Sequence, residues 1–586
     1  MLAAQPDTLQ AVTVVADRGV VVSRTDTLSI SNHQDASTLL LQIPGLYVGD
    51  YGSAAGLKSA SLRGYGSAHT AIYVDGVRVG NVQSGQADLG FLDYNDLSAV
   101  VVDYAQNSLS FQTARPVFNG KPVAGTVKLN GGSFGAWQPY AKVAVRLGQR
   151  WSLSTHAGGL LTNGQFPLED GSLRTNNDLK QLQAGADVFG TLDGGDFHAK
   201  VFYNVAERGT PGSVSWPSTD RQLDGNLGAQ AVLRKSFSPL YTLHLSAKGA
   251  LDKLLYLSEW GDSQYRQTEF QLNSAHKFHL LPWWELSLAA DLAYDKLNST
   301  LYQQQRLGTV AALASAFHWK RIRADLALEY AGTFDKGVAP WHSLSPSLDL
   351  RINVLEGLDV VAFARQAFRT PTFNELYYPG YGNTELKPEE AFLTDLGLDW
   401  SRVIDGHWTV KLRADGYNNY FSNKIISSPS ADDPTIWLPY NVGKVTATGA
   451  DVLASVEYDD EGDWKASFSA RYGWQKALDK TPDSYSYDQQ IPYVARHSLA
   501  LTAGADWKGW ALSTVFNLRK GRMYAGDSLP DWNTLDLSAG KTLNLGKAGT
   551  VALKVTGRNL LDKRYEVVPG YPMPGRSIMG GIEYKF

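Results

Sequence analysis

SASLRGYGSAHTAIYVDGVRV, residues 59–79, carries the strongest indication of the fold in this chain. Two short β runs, at 60–63 and 71–74, flank a loop of small and polar residues. The dipeptide Asp75-Gly76 follows the second run and precedes another extended segment. Because an Asp-Gly pair between extended runs favours a tight turn, this stretch predicts a β-hairpin near the N-terminus.

A short helix is predicted upstream of this hairpin, in residues 36–48, ASTLLLQIPGLYV. Leu39, Leu40 and Ile43 share one face of one or two helical turns, and Pro44-Gly45 ends them. This helix leads into an extended run, so the N-terminal unit is predicted to combine a helix with β-structure.

From about residue 135 onward, apolar and polar residues alternate with a period of two. In residues 284–295 the apolar face consists of Trp284, Leu286, Leu288, Ala290, Leu292 and Tyr294. The opposite face carries charged residues such as Glu285, Asp291 and Asp295. A soluble β-sandwich also alternates, but an apolar row with an aromatic at each end and charges opposite is typical of an outer-membrane barrel.

Length and composition agree with a membrane barrel. A chain of 586 residues is too long for one ordinary core, unless that core is a single closed barrel. No run of about 18 apolar residues occurs, so a bilayer would be crossed by strands. The formal net charge of -4 gives no support for a nucleic-acid partner, and the absence of cysteine excludes a disulfide framework.

Three blocks of this sequence resemble TonB-dependent outer-membrane receptors. Ser-Leu-Arg-Gly at 61–64, followed by Val-Asp-Gly-Val-Arg at 74–78, resembles their plug domain. FRTPTFNELYYPGYGNTELKPEE, residues 368–390, resembles their paired boxes, and residues 557–576 resemble the last hairpin of their compact members. The chain also ends on an alternating strand that finishes in Phe586, which resembles the signal read by the barrel assembly machinery.

The resemblance implies an all-β transmembrane barrel of about 22 antiparallel strands, with an N-terminal α+β plug domain in its lumen. It divides the chain into an extension with a TonB box at 1–19, a plug at 20–132 and a barrel at 133–586. It further implies an integral protein of the bacterial outer membrane, surrounded by outer-membrane lipid. Since residues 1–5 lack the basic region and apolar core of a signal peptide, we expect this chain to be a mature form.

The extended, β-branched segment at 7–17 resembles the TonB box, through which the periplasmic protein TonB and its inner-membrane energising complex act on these receptors. The predicted contact residues are Leu9, Val12, Thr13, Val14, Val15 and Ala16. An exposed extended segment pairs with the sheet edge of a partner through main-chain hydrogen bonds and needs few specific side chains. The alternative is that this segment forms the first strand of the plug.

The small size, the short loops and the last hairpin look most like the cobalamin receptors of the family. The resemblance therefore implies TonB-dependent active import of cobalamin or a related corrinoid. A ferric-siderophore or haem receptor is the alternative within the family, although residues 368–390 lack the histidine that haem receptors carry there. A passive porin or a barrel adhesin is the alternative from another class. No catalytic residues are recognised, so we expect no enzyme activity.

The ligand-binding residues that the resemblance implies lie in two plug loops and one barrel loop. They are Tyr51, Gly52 and Leu57 in the first plug loop, Asn81, Val82, Gln83 and Ser84 in the second, and Tyr377, Tyr378 and Tyr381 in the barrel loop. Aromatic rings in such a loop supply contact area at low entropy cost. Ordinary polar turns are the alternative interpretation of both plug loops.

No cofactor is required by this interpretation, but calcium in the outer loops is a hypothesis. Its candidate oxygen ligands are Asp170, Asn177 and Asp178 in one loop and Asp220 and Asp224 in the next. Solvated loop charges are the alternative. Of the 11 histidines only His276 and His279 lie close in sequence, on opposite faces of a strand, which gives little support for a zinc site. A surface lipoprotein that covers the barrel mouth is a further hypothetical partner.

Overall fold

A computed structural model of the chain describes residues 24–30, 36–52, 54–429, 437–484, 486–524 and 526–586. In these ranges the chain forms 33 β-strands and two short α-helices. The predicted TonB-box residues, from Leu9 to Ala16, lie outside the described part of the chain.

The elements of the N-terminal domain are β1 (Thr25–Ser29), α1 (Ala36–Leu40), β2 (Leu46–Asp50), β3 (Lys58–Leu62), β4 (Ala71–Val74), β5 (Val77–Val79), β6 (Leu97–Asp103) and β7 (Ser108–Thr113). The strands of the first half of the barrel are β8 (Val123–Gly132), β9 (Ala136–Leu147), β10 (Trp151–Thr162), β11 (Leu179–Leu192), β12 (Gly195–Gly209), β13 (Arg221–Ser238), β14 (Tyr241–Leu257), β15 (Ser263–Leu281), β16 (Trp284–Ser299), β17 (Gln303–Trp319) and β18 (Ile322–Asp335). The remaining elements are β19 (Trp341–Leu355), β20 (Leu358–Arg369), α2 (Phe373–Tyr377), β21 (Glu389–Ile404), β22 (Trp408–Pro429), β23 (Trp437–Asp459), β24 (Trp464–Asp479), β25 (His497–Trp507), β26 (Trp510–Lys520), β27 (Met523–Tyr524), β28 (Asp527–Ser528), β29 (Trp532–Asn544), β30 (Thr550–Arg558), β31 (Glu566–Val568), β32 (Tyr571–Pro572) and β33 (Ser577–Lys585).

The barrel is a closed antiparallel sheet, and within the described ranges it contains 22 strands, which confirms the prediction. Each strand from β8 to β25 pairs with the next one along the chain, β26 pairs with β29, and β30 and β33 complete the wall. Closure occurs where β33 pairs with β8, from Met579 opposite Gly132 to Lys585 opposite Thr126. The short pairs β27–β28 and β31–β32 lie outside the barrel sheet.

The alternation predicted for residues 284–295 is the alternation of strand β16. Leu288 and Leu292 are exposed on the outer face, whereas Ser287 and Ala289 are buried on the inner face. Because successive side chains of a strand point to opposite sides of the sheet, an apolar outer row faces lipid and the polar row faces the lumen. Among the described helices, none has the length and apolarity needed to span a membrane.

The plug, defined here as the described residues between Arg24 and Thr113, fills the lumen of the barrel. Its central sheet has the order β1-β6-β7-β4-β5, with β4 parallel to β7, and β2 and β3 form a separate antiparallel pair. Asp75 and Gly76 both have positive φ values, 53° and 83°, which is the geometry of the predicted tight turn between β4 and β5. The predicted helix is α1, and Leu39, Leu40 and Ile43 are all buried in the plug core.

The structure corrects the predicted boundary between plug and barrel. Residues 123–132, which the predicted boundary assigns to the plug, form β8, which pairs with β9 on one side and β33 on the other. The barrel therefore starts at Val123 rather than at residue 133. A strand belongs to the sheet in which it pairs, and its own sequence does not give that pairing.

Two plug arginines anchor the plug to one side of the barrel wall. Arg63, which follows β3, lies 2.7 Å from Asp395 of β21 and 2.9 Å from Asp451 of β23. Arg24 lies beside Asp399 of the same wall. Both guanidinium groups are almost completely buried, and Arg63 also packs over the ring of Tyr417 at 4.0 Å. The network also includes Asp415, which both arginines contact, and Arg413, which binds Asp399.

Candidate functional site

A cavity of about 640 Å³ lies between the plug loops and the barrel strands β10 to β16. Short turns such as 148–150 and 193–194 join the strands at one end of the barrel, whereas longer connections such as 163–178 and 210–220 lie at the other end. Residues of the longer connections, Thr210 to Gly212 among them, line the cavity. Since the long loops of outer-membrane barrels face the cell exterior, the cavity is on the outer side of the plug.

Five of the predicted ligand residues line this cavity: Tyr51, Leu57, Asn81, Gln83 and Ser84. They come from both plug loops, which the fold brings together beneath the same opening. In the second loop the Asn81 side chain accepts hydrogen bonds from the backbone N–H groups of Gln83 and Ser84, at 2.9 and 3.1 Å. This local turn gives the loop a defined shape at the cavity floor.

The second plug loop is also held by helix α2 of the barrel. The backbone N–H groups of Phe373 and Asn374 donate to the carbonyl oxygens of Val82 and Gln83, at 3.1 and 2.9 Å. Val82 therefore supports the loop through its backbone and is absent from the described lining. Helix α2 itself begins with a capping box, in which Thr372 and Glu375 exchange hydrogen bonds.

The other four predicted residues are absent from the described lining of the cavity. Gly52 has a positive φ of 84°, and a Cβ atom there would lie 2.7 Å from the carbonyl oxygen of Pro572, so its role is close backbone packing. The Tyr377 hydroxyl donates to Asp335 at 2.7 Å, and Tyr378 caps the C-terminal end of α2. The Tyr381 hydroxyl lies 2.6 Å from Ser427 Oγ in an exposed position.

The structure adds aromatic lining residues that the sequence analysis missed. Tyr571 of β32 packs edge-on against Tyr51, with ring centroids 4.9 Å apart. Three further aromatic side chains of the lining face inward from the barrel wall: Phe202 of β12, Tyr256 of β14 and Tyr265 of β15. Burial raises the pKa of Tyr51 above its usual value, and Tyr571 adds to that effect, so the Tyr51 phenol stays a neutral hydrogen-bonding group. Alternation indicates that the strand residues point inward, but only the tertiary structure shows which of them reach the cavity.

Amide side chains are abundant in the cavity lining. Ten asparagines and glutamines of the described chain contribute: Asn81, Gln83, Gln86, Gln183, Asn204, Gln222, Asn226, Gln230, Gln267 and Asn374. Three basic side chains of the lining are paired with carboxylates, in the pairs Lys200–Asp96 at 2.7 Å, Arg208–Asp88 at 2.9 Å and Lys248–Glu269 at 2.6 Å. The cavity thus offers many neutral donors and acceptors, and most of its positive charge is already compensated.

The predicted calcium ligands have protein partners of their own. The set is Asp170, Asn177, Asp178, Asp220 and Asp224. Arg221 donates to both carboxylate oxygens of Asp178, at 3.0 and 2.8 Å, and holds the pKa of that group below its usual value. Asp224 lies 3.3 Å from Arg208 Nε. Calcium would have to compete with these guanidinium groups, and its binding stays a prediction. In the described chain, the acidic and histidine side chains close enough to share an ion are Asp96, His156 and Asp187.

Comparisons with known proteins agree with this architecture. The family "TonB-dependent Receptor Plug Domain" matches residues 7–116, and "TonB dependent receptor-like, beta-barrel" matches residues 124–560. The vitamin B12 transporter BtuB of Photobacterium profundum is 25% identical over 583 residues, which cover 94% of this chain and 89% of that protein. BtuB of Vibrio vulnificus is 23% identical, with coverage of 95% and 90%.

Among solved structures, the FrpB iron transporter from Neisseria meningitidis (F3-3 variant) has the same fold. It superposes with a TM-score of 0.78 at 14% sequence identity, over 96% of this chain and 99% of that one. The closed 22-stranded barrel of the described residues and the matched families identify an integral protein of the outer membrane. The family consists of receptors and transporters rather than enzymes, and the chain belongs to the TonB-dependent receptor family.

Proposed function

We propose that this receptor imports cobalamin or a related corrinoid across the outer membrane. The observation that carries the proposal is the cavity lining, which is rich in amide and aromatic side chains and has most of its basic groups paired with carboxylates. A corrinoid is a large, nearly neutral ring system with many amide groups around its edge. Neutral donors and acceptors together with aromatic area suit such a ligand better than they suit an anionic ferric siderophore.

The two relatives named as vitamin B12 transporters support the same ligand class, because each matches nearly the whole length of this chain. The likeness to an iron transporter concerns the fold, at 14% identity. Haem is disfavoured because the described lining contains a single histidine, His156, whose Nδ1 is buried below the cavity.

Equilibrium binding to the detergent-purified receptor tests the ligand class. We expect tight binding of cyanocobalamin, with no displacement by haemin or by a ferric catecholate. Displacement by the catecholate would instead assign a siderophore, and displacement by haemin would assign haem. No cyanocobalamin binding, in calcium as well as in chelator, would overturn the proposal.

Single substitutions then test the cavity itself. Tyr571→Ala removes an aromatic wall and the ring that packs on Tyr51, so we expect cyanocobalamin affinity to fall about tenfold or more. Tyr487→Ala is the matched control, since Tyr487 is 54% exposed and lies outside the described cavity lining. Equal losses in both variants would show that the effect does not come from the cavity.

The energy for import is proposed to come from TonB through the N-terminal segment. Deletion of residues 1–17 should abolish cyanocobalamin uptake by cells while leaving binding to the purified receptor intact. A passive pore would keep its flux after the same deletion. Co-purification from native membranes tests the hypothetical surface lipoprotein, and recovery of the receptor alone would count against a stable complex.

A further inference from the structure

A buried cluster of charged side chains joins the plug to the barrel wall at β9 to β12. It contains the carboxylates Asp75, Asp93, Asp96 and Asp187, the ammonium groups of Lys142 and Lys200, and the imidazoles of His156 and His198. In the strand order of the barrel, this cluster lies about half a turn away from the Arg24 and Arg63 network on β21 to β23. The plug is thus attached to two opposite sides of the wall.

Three groups in this cluster converge without bonding to one another. His156 Nδ1 lies 3.6 Å from Asp96 Oδ1 and 3.8 Å from Asp187 Oδ2. These separations are too long for hydrogen bonds. They are close to the roughly 3.4 Å that separates two ligands of a tetrahedral zinc ion with bonds of about 2.1 Å.

Two of these three atoms have no other use in the described structure. His156 Nδ1 and Asp187 Oδ2 are buried and form no hydrogen bond with any described residue. His156 is 7% exposed, Asp96 1% and Asp187 0%. A buried polar atom without a partner carries a desolvation penalty, so two such atoms that point at a common centre indicate a missing partner.

The surrounding groups occupy the positions of an outer shell. His198 Nε2 donates to Asp187 Oδ1 at 2.9 Å, which leaves Oδ2 directed toward His156. Lys142 and Lys200 donate to the two oxygens of Asp96, each at 2.7 Å, and an ionised carboxylate oxygen keeps a second lone pair for another partner. Hydrogen-bonded partners such as His198, Lys142 and Lys200 orient metal-binding carboxylates. Asp93 Oδ2 lies 3.7 Å from Nε2 of His156, on the far side of the ring, and is itself buried without a hydrogen bond in the described structure.

Charge balance favours a divalent cation at this centre. Four carboxylates face two ammonium groups, so acidic groups outnumber basic ammonium groups in this cluster. A divalent ion would offset this excess. The ion also has a route of entry, because His156, Asp93 and Lys200 lie at the inner end of the outer cavity.

We propose that Asp96, His156 and Asp187 form a site for a divalent transition metal, zinc first, that bridges the plug to the barrel wall. One imidazole nitrogen and two carboxylate oxygens are donors that zinc accepts, and a fourth position remains for water. Asp96 belongs to the plug, whereas His156 lies on β10 and Asp187 on β11. The bound ion would therefore cross-link the two domains.

Metal analysis of the intact receptor tests this site. The wild-type protein is purified from outer membranes of cells grown with added zinc, dialysed against a weak chelator and analysed by plasma mass spectrometry. The control is His342→Gln, which changes an exposed histidine on β19. We expect one zinc per chain in the wild type and in this control. We expect less than a tenth of that amount in His156→Gln and in Asp187→Asn. A wild-type receptor without stoichiometric metal, or a His156→Gln variant that keeps it, overturns the proposal.

Two further readouts separate metal binding from misfolding. X-ray absorption at the zinc edge of the wild-type receptor should show one imidazole and only oxygen or nitrogen neighbours, and a shell with several imidazoles overturns the assignment. Zinc added to chelator-treated protein should raise the unfolding temperature of the wild type but not of His156→Gln. An equal rise in both also overturns the bridge.

Discussion

Replacement of Arg63 by methionine is the sharpest test of how the plug is held. The side chain is 1% exposed and faces the carboxylates of Asp395, Asp415 and Asp451. Methionine keeps much of the volume but removes the charge, so three buried carboxylates lose a shared partner. Breaking a buried ion pair by removal of one partner typically costs about 3–5 kcal/mol, because an uncompensated charge stays in the interior.

Loss of the ring contacts adds to that cost. The Arg63 guanidinium lies 4.0 Å from the ring centre of Tyr417 and 4.2 Å from that of Tyr104, and a desolvated cation–π contact is worth up to about 2 kcal/mol. Since these contributions are not additive, we expect a total of about 3–5 kcal/mol. Opening of the plug should then become at least about 100-fold more frequent.

Hydrogen exchange followed by mass spectrometry is the appropriate assay, because it measures local opening in the full-length receptor in detergent. The amides of β2 and β3, next to Arg63, should exchange at least about 100-fold faster in Arg63→Met than in the wild type. The matched control is Arg115→Met, which breaks a 2.9 Å pair with Asp196 in which the arginine is 54% exposed. Exposed pairs contribute about 0–1 kcal/mol, so this control should exchange like the wild type.

A double variant tests whether charge is the cause. Arg63→Met with Asp451→Asn removes one positive and one negative group, so the network returns to its original charge balance and part of the protection should return. The reasoning is refuted if Arg63→Met exchanges no faster than Arg115→Met. It is also refuted if the double variant is no better protected than Arg63→Met alone, since volume or ring contacts would then account for the loss.

Three further predictions concern a buried carboxyl, a loop glycine and the lipid-facing surface. Burial raises the pKa of Asp103 to about 7, so this carboxyl should remove up to about 4 kcal/mol of stability as pH rises from about 4 through 7. Asp103→Asn lacks this contribution and should be more stable than the wild type at pH 8 but not at pH 4, as calorimetry at the two pH values would show. Gly85 has a φ of 72°, and a Cβ atom there would lie 2.5 Å from Thr372 Cγ2, so Gly85→Ala should move the second plug loop and weaken cyanocobalamin binding. The control Gly171→Ala, where a Cβ atom would have nothing within 4 Å, should bind cyanocobalamin like the wild type, and equal affinities of the two variants would contradict the prediction. Leu292→Lys places a charge on the lipid face of β16 and should lower the free energy of unfolding by about 2–4 kcal/mol, as measured by urea unfolding from lipid vesicles. An unchanged unfolding midpoint would contradict the assignment of Leu292 to the lipid face.

Much of the local structure of this chain could be predicted from its sequence. Strand β16 and its lipid face follow from alternation alone, because the direction of each side chain depends only on its place in an extended run. The turn at Asp75-Gly76 is equally local, since its two positive φ values suit an aspartate and a glycine. The count of 22 strands came from the family resemblance, and the structure confirms it for the described residues.

The candidate site could be predicted only in part. The plug loops with Tyr51 and Asn81 belong to a recognisable segment, so resemblance located them. Tyr571 could not be found in this way, because it reaches Tyr51 across 520 positions of sequence and only through closure of the barrel. The barrel-loop tyrosines show the converse: Tyr377 lies in a recognised block, but its hydroxyl donates to Asp335, and neither residue belongs to the described cavity lining.

The strand faces, the turns and the family thus follow from the amino-acid order, because each of these depends on neighbours in the chain. Only the assembled fold shows that β8 belongs to the barrel, since a strand is assigned by the partners with which it forms hydrogen bonds. The same assembly brings together Asp96, His156 and Asp187, which come from a plug segment and two wall strands. No periodicity in a sequence records that convergence, because it arises from the way the plug is seated inside the closed sheet.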